Sequence, residues 1–455
     1  MKERTLMNVS RRSLLFVMIV LLSVNATYGA TYYVSPSGND ANQGSATAPW
    51  KTIQKCAATI TGGDTCVVRD GTYTESVTVN RSGTEGNPIV FKAENRHGAV
   101  IFGKISIRNN AHYVRVDGFK VLIENNAISG ISSSGNFNEI FNNLVTTEST
   151  SLGLNNTAIR IEGNYSIASG NYVEKTCFGY YLYGSNNIFQ NNEATRLKLN
   201  GDCGDVDYMR FFGSNHLIRN NTFHGINFSE IGGAHVDCFQ TYDNNGPQYS
   251  ISNVIVEGNY CSDSSQGMML AGGMYMQSQG LIVRNNVFAK CTSWCVCLVD
   301  IANAFFYNNT CDTTGGIHGM WCRGAKGIAS CEFKNNIIYG PGSLYGVMEA
   351  ATLIDGTPEA PGKKNLLFKT NGTVRGFLGD IINKDPLFEN RTVGDYRLKA
   401  GSPAIDAGMA ISGWTGATDR DGLPRPQGTG WDIGAYEHGG SALNPPRNLR
   451  ILDQQ

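Results

Sequence analysis

The sequence predicts an all-β fold, a single-stranded right-handed parallel β-helix with a short capping helix at its N-terminal end. Three observations indicate it: short β-branched and aromatic segments recur, each ends in Asn, and the repeats show no helical periodicity. The segments are NEIFNN, SIASGN, NIFQNN, HLIRNN, VIVEGN, LIVRNN, AFFYNN and EFKNN, ending at Asn143, Asn171, Asn192, Asn221, Asn259, Asn286, Asn309 and Asn336. Intervals of 21 to 38 residues are typical of a solenoid whose coils stack on one another.

A second marker fixes the register of four successive coils. Glycines stand eight residues before four of the terminal asparagines. They are Gly135, Gly163, Gly184 and Gly213. Because Asn tolerates a left-handed backbone and its amide can bond to the Asn of the next coil, we expect the asparagines to stack at one turn.

Residues 1–30 have the layout of a secretory signal peptide. Basic residues precede the apolar run LLFVMIVLLSV, which is followed by small residues ending at Ala26 or Ala30. We expect a mature chain from Thr31 in the periplasm, outside the cell or on its surface, with a retained N-terminal anchor as the alternative. No later segment is apolar enough to span a bilayer.

The composition excludes one class of partner. The chain has 455 residues, of which 41% are hydrophobic and 16% charged, enough to bury a large core. With 37 basic and 38 acidic residues there is no excess of positive charge for nucleic acid. We expect a monomer that does not bind nucleic acid.

The 12 cysteines all follow the signal segment, and their even number favours an oxidising compartment. Cys56 and Cys66 flank a short helix-to-strand connection and are the first expected disulfide. Cys291, Cys295 and Cys297 are spaced too loosely to assign either pairing or zinc ligation. Zinc is the weaker hypothesis, because a paired C-x-x-C framework is missing.

Both ends of the mature chain resemble the pectate-lyase-like superfamily of secreted bacterial β-helix proteins. The N-terminal stretch TYYVSPSGNDANQGSATAPWKTIQKCAATITGGDTCVVRDGTYTESVTV and the C-terminal DYRLKAGSPAIDAG, DRDGLPRP and DIGAYE carry the resemblance, which implies architecture and not chemistry. The first also makes sense as a cap, because five residues form one apolar face: Trp50, Ile53, Cys56, Ala57 and Ile60. The expected divisions are 31–110 for the cap and first coils, 111–345 for the core, 346–438 for the last coils and closing segment, and 439–455 for a flexible tail.

The outward face of the central coils follows from aligning their strands at the closing Gly or Asp and alternating inward and outward residues. One outward column contains Arg160, Tyr181, Arg210 and Gln240, and the next contains Glu162, Tyr183, Phe212 and Tyr242. Aromatic rings with interleaved guanidinium groups suit sugars that carry carboxylates or sulfates. The alternative is that the rings are ordinary stacking ladders of the solenoid.

The same alignment superposes GDVDYMRFFG on AHVDCFQTYD. The aligned pairs are Asp205 over His235, Asp207 over Asp237, and Arg210 over Gln240. If the coils are adjacent, two carboxylates come within about 5 Å, a proximity that needs a shared proton, a cation or a basic partner. The sequence therefore predicts a site here, against the alternative that each Asp only caps a turn.

Two chemistries fit this site. In β-elimination on a uronic acid, Asp205, Asp207 and Asp237 would hold a calcium ion and His235, Arg210 or Lys198 would be the base. In glycoside hydrolysis, Asp207 and Asp237 would be the paired carboxylates. The chain lacks the NTDG, DD and GHG set of β-helix polygalacturonases and an obvious lysine after Asp237. The arginines favour a lyase acting on an anionic polysaccharide, and a non-catalytic adhesive β-helix is the third hypothesis.

Overall fold

The computed structural model describes most of the chain from Gly29 to Gly439. The described ranges are 29–124, 128–148, 156–197, 203, 205–230, 234–243, 246–272, 275, 278–314, 316, 318–326, 329–341, 343–349, 352–353, 364–374, 376 and 378–439. The expected signal peptide, most of the expected tail and Lys198 lie outside these residues.

The described chain winds through three parallel sheets, visiting sheet 1, sheet 2 and sheet 3 once in each coil. Sheet 1 has 11 strands, at Val77–Val79, Ile105–Ile107, Ser129–Ser133, Thr157–Ile161, Phe178–Leu182, Val206–Phe211, Val236–Tyr242, Gln266–Ala271, Trp294–Val299, His318–Gly324 and Ser343–Glu349. Sheet 2 has 14 strands, at Thr31–Val34, Thr65–Val68, Ile89–Ala93, Val114–Asp117, Glu139–Phe141, Ile167–Ser169, Ile188–Gln190, Gly213–Ser214, Leu217–Arg219, Ile251–Glu257, Gln279–Arg284, Ala302–Tyr307, Ser330–Lys334 and Thr352–Leu353. Sheet 3 has 13 strands, at Gly71–Thr74, Ala99–Phe102, Lys120–Leu122, Leu144–Thr146, Tyr172–Glu174, Glu193–Thr195, Thr222–His224, Tyr260–Ser262, Val287–Ala289, Thr310–Asp312, Ile337–Gly340, Leu366–Lys369 and Ile381–Ile382. The predicted parallel β-helix is confirmed.

The two residues of each Asn-Asn pair have different roles in the turn between sheets 2 and 3. The first residue of each pair takes the left-handed backbone, as Asn191 does with φ of 55°. The second, such as Asn192, is buried, and its backbone and side-chain nitrogens both donate to Oδ1 of the next Asn. The ladder runs through Asn143, Asn171, Asn192, Asn221, Asn259, Asn286, Asn309, Asn336 and Asn365 to Asp380. The predicted stacking is therefore confirmed.

The capping helix spans Ile53–Thr59, and Thr52 begins it by accepting a bond from the Lys55 backbone nitrogen. Its apolar face is buried as predicted, and Cys56 forms the predicted disulfide with Cys66. Single 3-10 turns occur at Phe228–Glu230, Pro247–Tyr249 and Arg391–Val393. Among the described residues, none of the helices has the length and hydropathy needed to cross a bilayer.

Five disulfides cross-link the described coils. Beyond Cys56 and Cys66, the pairs are Cys177–Cys203, Cys238–Cys261, Cys295–Cys311 and Cys322–Cys331. Of the three cysteines left unassigned by the sequence, Cys295 is bridged and Cys291 is a buried thiol. This number of disulfides fits an oxidising compartment.

In the first half of the sheet 1 strands, side chains do not alternate strictly between the core and the outward face. Tyr208 and Met209 are consecutive, and both are buried in the core, as are Cys238 and Phe239. The pairing register passes over Tyr208, which is the mark of a local irregularity in the strand. Two inward residues in succession place residues three apart on one outward face, and this geometry builds the candidate site.

The C-terminal segment, residues 399–439, packs along the corner between sheets 2 and 3. A two-stranded antiparallel ribbon, Phe388–Asn390 with Asp395–Leu398, precedes it. Left-handed asparagines of the corner donate side-chain bonds to its backbone, Asn285 to Thr418, Asn308 to Asp432 and Asn335 to Met409. The polar corner therefore supplies the contacts that hold this segment.

Candidate functional site

The candidate site lies on the outward face of sheet 1, where strands Val206–Phe211 and Val236–Tyr242 pair. Asp207 stands opposite Asp237 and Arg210 opposite Gln240, so the predicted register is confirmed. The backbone nitrogen of Asp237 donates to Oδ1 of Asp207 at 3.2 Å. The two carboxylates therefore belong to adjacent coils of one column.

Arg210 lies between two carboxylates. Its Nε donates to Asp207 Oδ2 at 2.5 Å, and its Nη2 donates to Asp205 Oδ2 at 2.5 Å. The guanidinium also covers the Phe178 ring, with 4.1 Å between its carbon and the ring centroid. Arg210 and Asp207 are both buried, so this ion pair forms the floor of the site.

His235 and Asp237 form a second pair beside the first. The imidazole Nδ1 lies 3.3 Å from Asp237 Oδ2, with the histidine side chain 45% exposed and the carboxylate 0% exposed. Gln240 Nε2 donates to the same carboxylate oxygen at 3.0 Å. The other oxygen, Oδ1, is buried and has no hydrogen-bond partner among the described residues. An exposed imidazole is thus held by a carboxylate that solvent does not reach.

The protonation of His235 decides how Gln266 is oriented. The Gln266 nitrogen lies 2.7 Å from His235 Nε2, and the Gln266 oxygen is buried and has no hydrogen-bond partner within the described part of the chain. An imidazolium donates through both nitrogens, so a charged His235 needs the amide turned to present its oxygen. In that orientation the Gln266 oxygen accepts the bond from His235 Nε2, and the Gln266 nitrogen takes the buried position.

The electrostatics favour that charged state. The hydrogen bond to Asp237 raises the pKa of His235 to about 9, and burial opposes the rise. Burial raises the pKa of Asp237 and outweighs the contribution of His235. Burial also raises the pKa of Asp207 against the attraction of Arg210. Burial lowers the pKa of Arg210, but Asp207, Tyr242 and Asp205 together raise it by more, so Arg210 stays a cation.

The three carboxylates nominated as calcium ligands do not fit such a site. Asp205 and Asp207 each direct an oxygen at Arg210, and Asp237 directs one at His235 and Gln240. Across the described residues, His, Cys, Asp and Glu side chains nowhere form a group of three that could hold a metal ion. The guanidinium of Arg210 supplies the positive charge at the place where the sequence suggested a cation.

The aromatic strip lies beside these pairs. Arg160 bonds Glu162 at 2.7 Å and covers the rings of Tyr181 and Tyr183 at 4.9 and 5.0 Å. The hydroxyls of Tyr181 and Tyr242 are 3.0 Å apart. The rings contact one another as well, which is what the stacking-ladder alternative describes. Phe212 is fully buried beneath them and presents no surface.

A cleft of about 420 Å³ opens next to the pairs. Its walls are Asp205, Arg210, Gln240, Thr241, Tyr242, Met269 and Ala271. This volume falls in the range of ligand pockets. The cleft thus joins the carboxylate and arginine floor to the tyrosine edge of the strip.

Sequence reasoning missed the continuation of the Asp207 column over the next coils. Asp237 pairs with Gln266, Gln266 with Trp294, and Trp294 with His318. The rings of Trp294 and His318 stack with centroids 3.8 Å apart. The signal was available, because Gly272 and Asp300 close these strands as Gly213 and Asp243 close the earlier ones.

Part of the chain matches a known family. The family described as Pel9A-like, right handed beta helix region matches residues 32–195. Pectate lyase PEL9 of Emericella nidulans is 36% identical over 81 residues, which are 17% of this chain and 20% of that protein. The curated relatives that match are covered over a fifth or less of their own length.

Solved structures share the fold over a longer range. Pectate lyase Pel9A is 17% identical, covers 91% of this chain and 97% of its own, and has a TM-score of 0.51. The GH136 lacto-N-biosidase of Eubacterium ramulus is 11% identical, covers 75% of this chain and 68% of its own, and has a TM-score of 0.50. The chain therefore shares the right-handed parallel β-helix fold of these structures, the architecture that its two ends predicted.

Proposed function

We propose that the protein is secreted, binds an acidic polysaccharide along the outward face of sheet 1, and cleaves it by β-elimination. The observation that carries the proposal is the half-exposed His235 held by the buried Asp237. Such a pair gives an imidazole of fixed orientation and raised basicity, and Gln240, which bonds the same carboxylate, lines the cleft. The five disulfides support secretion, and the carbohydrate-active enzymes that share the fold support a polysaccharide as the substrate.

His235 is the proposed base. In its neutral form it takes the proton from C5 of a uronic acid residue, the electron pair forms the C4–C5 double bond, and the glycosidic C4–O4 bond breaks. The leaving oxygen takes up a proton from the solvent or from the imidazolium just formed. Asp237 contacts the imidazole and not the sugar, so we assign it a positioning role. Asp207, Arg210 and Asp205 fix the floor beneath the substrate.

The substrate surface is the strip that begins at Arg160 and continues to Trp294. The strip presents charged, hydroxyl and amide groups from Arg160, Tyr183, Gln240 and Tyr242, and Glu162 holds the guanidinium of Arg160. Tyr181 is buried and supports the strip through the contact between its hydroxyl and that of Tyr242. Arginine matches carboxylate and sulfate in shape and charge, and aromatic faces pack on sugar rings. These contacts favour an anionic glycan.

Hydrolysis by Asp207 and Asp237 is the second candidate, favoured by the closeness of the two carboxylates and by their raised pKa values. Both groups have no solvent exposure, however, and each is covered by its basic partner. A direct attack on the sugar needs both partners to move. A lyase needs only the exposed imidazole, once the Gln266 amide has left its Nε2.

The test is a product assay on polygalacturonate, polymannuronate, chondroitin sulfate and neutral xylan, each with calcium and with a chelator. We expect ultraviolet-absorbing unsaturated ends from an acidic polymer and none from His235→Ala. The matched control is His224→Ala, which removes another half-buried histidine paired with a carboxylate, Glu193, on sheet 3. Saturated reducing ends would establish a hydrolase, and retention on acidic polymers without any product would leave a binding protein.

A further inference from the structure

A second cavity lies away from the candidate site. It encloses about 730 Å³ between the corner of sheets 2 and 3 and the C-terminal segment. Arg219 and Tyr260 contribute from the coils, and Trp414, Arg420 and Tyr436 from the segment. The cavity therefore opens on a different flank of the solenoid from His235.

Most charges in this cavity are neutralised internally. Arg284 bonds Glu257 at 2.6 Å, and Arg397 bonds Asp421 at 2.8 Å. The carboxylate of Asp419 accepts the backbone N–H groups of residues 421, 423 and 437. These acidic groups are already engaged with partners other than the two remaining arginines.

Arg219 and Arg420 have hydrogen-bond partners that carry no charge. Arg219 Nε donates to Gln190 Oε1 at 2.9 Å, and Arg420 Nη1 donates to the Tyr436 hydroxyl at 3.0 Å. The Nε of Arg420 is buried and has no hydrogen-bond partner in the described structure. A partly desolvated guanidinium with an unused donor favours an anionic ligand, because an anion restores the interactions lost with water.

The walls next to these cations are aromatic. Arg420 lies over the rings of Tyr260 and Tyr436 at 5.4 and 5.9 Å. Trp414 is half-buried and packs edge-on against Trp431, with 5.5 Å between centroids. The Arg284 guanidinium lies over the Trp414 ring at 4.3 Å, so the indole is held in place in the cavity wall. An indole in such a wall suits a sugar ring that carries an anionic group better than it suits an inorganic ion.

We propose that this cavity is a second, non-catalytic binding site for an acidic sugar residue, carboxylated or sulfated, with Arg420 and Arg219 facing the anionic group and Trp414 the ring. The proposal goes beyond the proposed function and does not depend on it. A site on another flank would hold the protein on an acidic glycan while the sheet 1 face engages a different segment, which raises the effective concentration of substrate.

Calorimetric titration of His235→Ala tests the proposal without turnover. The probes are trigalacturonate, a sulfated chondroitin disaccharide, maltotriose and inorganic sulfate. We expect an acidic saccharide to bind, and Arg420→Gln in the same background to weaken that binding about tenfold or more, as expected for loss of charge-assisted bonds. Trp414→Ala should weaken it as well. The matched control is Arg196→Gln, which removes an exposed arginine paired with Glu174 on sheet 3.

Melting curves show whether each variant is folded, and Arg219→Gln replaces Arg420→Gln if the latter is not. Arg420→Gln in the otherwise unaltered chain should keep the activity on soluble polymer. Equal binding of the acidic saccharides by the arginine variants and the control would overturn the proposal, as would equal affinity for maltotriose or for inorganic sulfate. Binding that persists in a protein without any lyase activity would uphold this site while the proposed function fails.

Discussion

The imidazole of His235 is bonded through Nδ1 to the carboxylate of Asp237, two residues later in the chain, across 3.3 Å. The histidine reaches solvent and the aspartate does not, so the carboxylate acts on a ligand only through the groups it holds, His235 and Gln240. On the neighbouring strand, Asp207 is paired with Arg210 of the same strand. The buried ion pair and the exposed dyad are therefore separate parts of one site.

The first prediction concerns the pH dependence of turnover. Because His235 must be neutral to accept a proton and its pKa is about 9, kcat/KM should rise with pH towards a plateau above about 9. In Asp237→Asn the midpoint should fall towards the ordinary value of about 6.5, with a lower kcat and a nearly unchanged KM. A steady-state pH series on both proteins checks this. An unchanged midpoint in the variant would remove Asp237 from its positioning role.

The second prediction concerns stability and pH. A histidine whose pKa is about 9 in the folded chain and about 6.5 in the unfolded chain binds its proton more tightly when folded. Its contribution is complete below about pH 6.5 and is lost as the pH rises through about 9. The melting temperature of the native chain should thus fall more steeply over this window than that of His235→Gln. Parallel curves for the two proteins would contradict the raised pKa.

The third prediction separates the two arginines of the strip. Removing Arg210 leaves the buried Asp207 without its cation, so Arg210→Ala should destabilise the fold by about 3–5 kcal/mol. Arg160 forms a partly exposed pair with Glu162, and Arg160→Ala should cost less than about 1 kcal/mol while weakening retention on acidic glycan. Denaturant unfolding and affinity electrophoresis measure the two effects. A stable Arg210→Ala protein would show that Arg210 is not committed to the internal pairs.

The fourth prediction concerns the asparagine ladder. Asn192→Ala removes a buried amide whose oxygen receives both bonds from Asn171, and should cost about 1–3 kcal/mol for the donors left unsatisfied. The control is Asn110→Ala, which alters an exposed asparagine on the surface. Chemical unfolding compares the two variants. Equal stabilities would mean that solvent replaces the ladder bonds.

The sequence could predict the coil register because its markers are tied to backbone geometry. Gly163, Gly184 and Gly213 stack so closely that an added Cβ would collide with the carbonyl of the coil before, so only glycine recurs there. Asn192 and its counterparts recur because their amides pair along the ladder. The opposition of Asp207 and Asp237 followed from aligning their strands at the closing residues Gly213 and Asp243.

For the two close carboxylates the sequence offered a basic partner, a shared proton and a cation, and it could not choose between them. Alternation assigns faces only in a regular strand, and the consecutive inward residues Tyr208 and Met209 change the face of every residue before them. The arginine at 210 therefore reaches back three positions to Asp207, where the sequence suggested a metal. The place of the C-terminal segment depends on long-range contacts to the corner asparagines, for which the segment carries no local signal.

The most direct test of the account is an NMR titration of the His235 imidazole in the native chain and in Asp237→Asn, because it needs no substrate. We predict a pKa of about 9 in the native chain and a shift towards about 6.5 in the variant. The other histidines serve as internal references. A pKa near 6.5 in the native chain, unchanged in Asp237→Asn, would contradict the dyad and the proton transfer assigned to it.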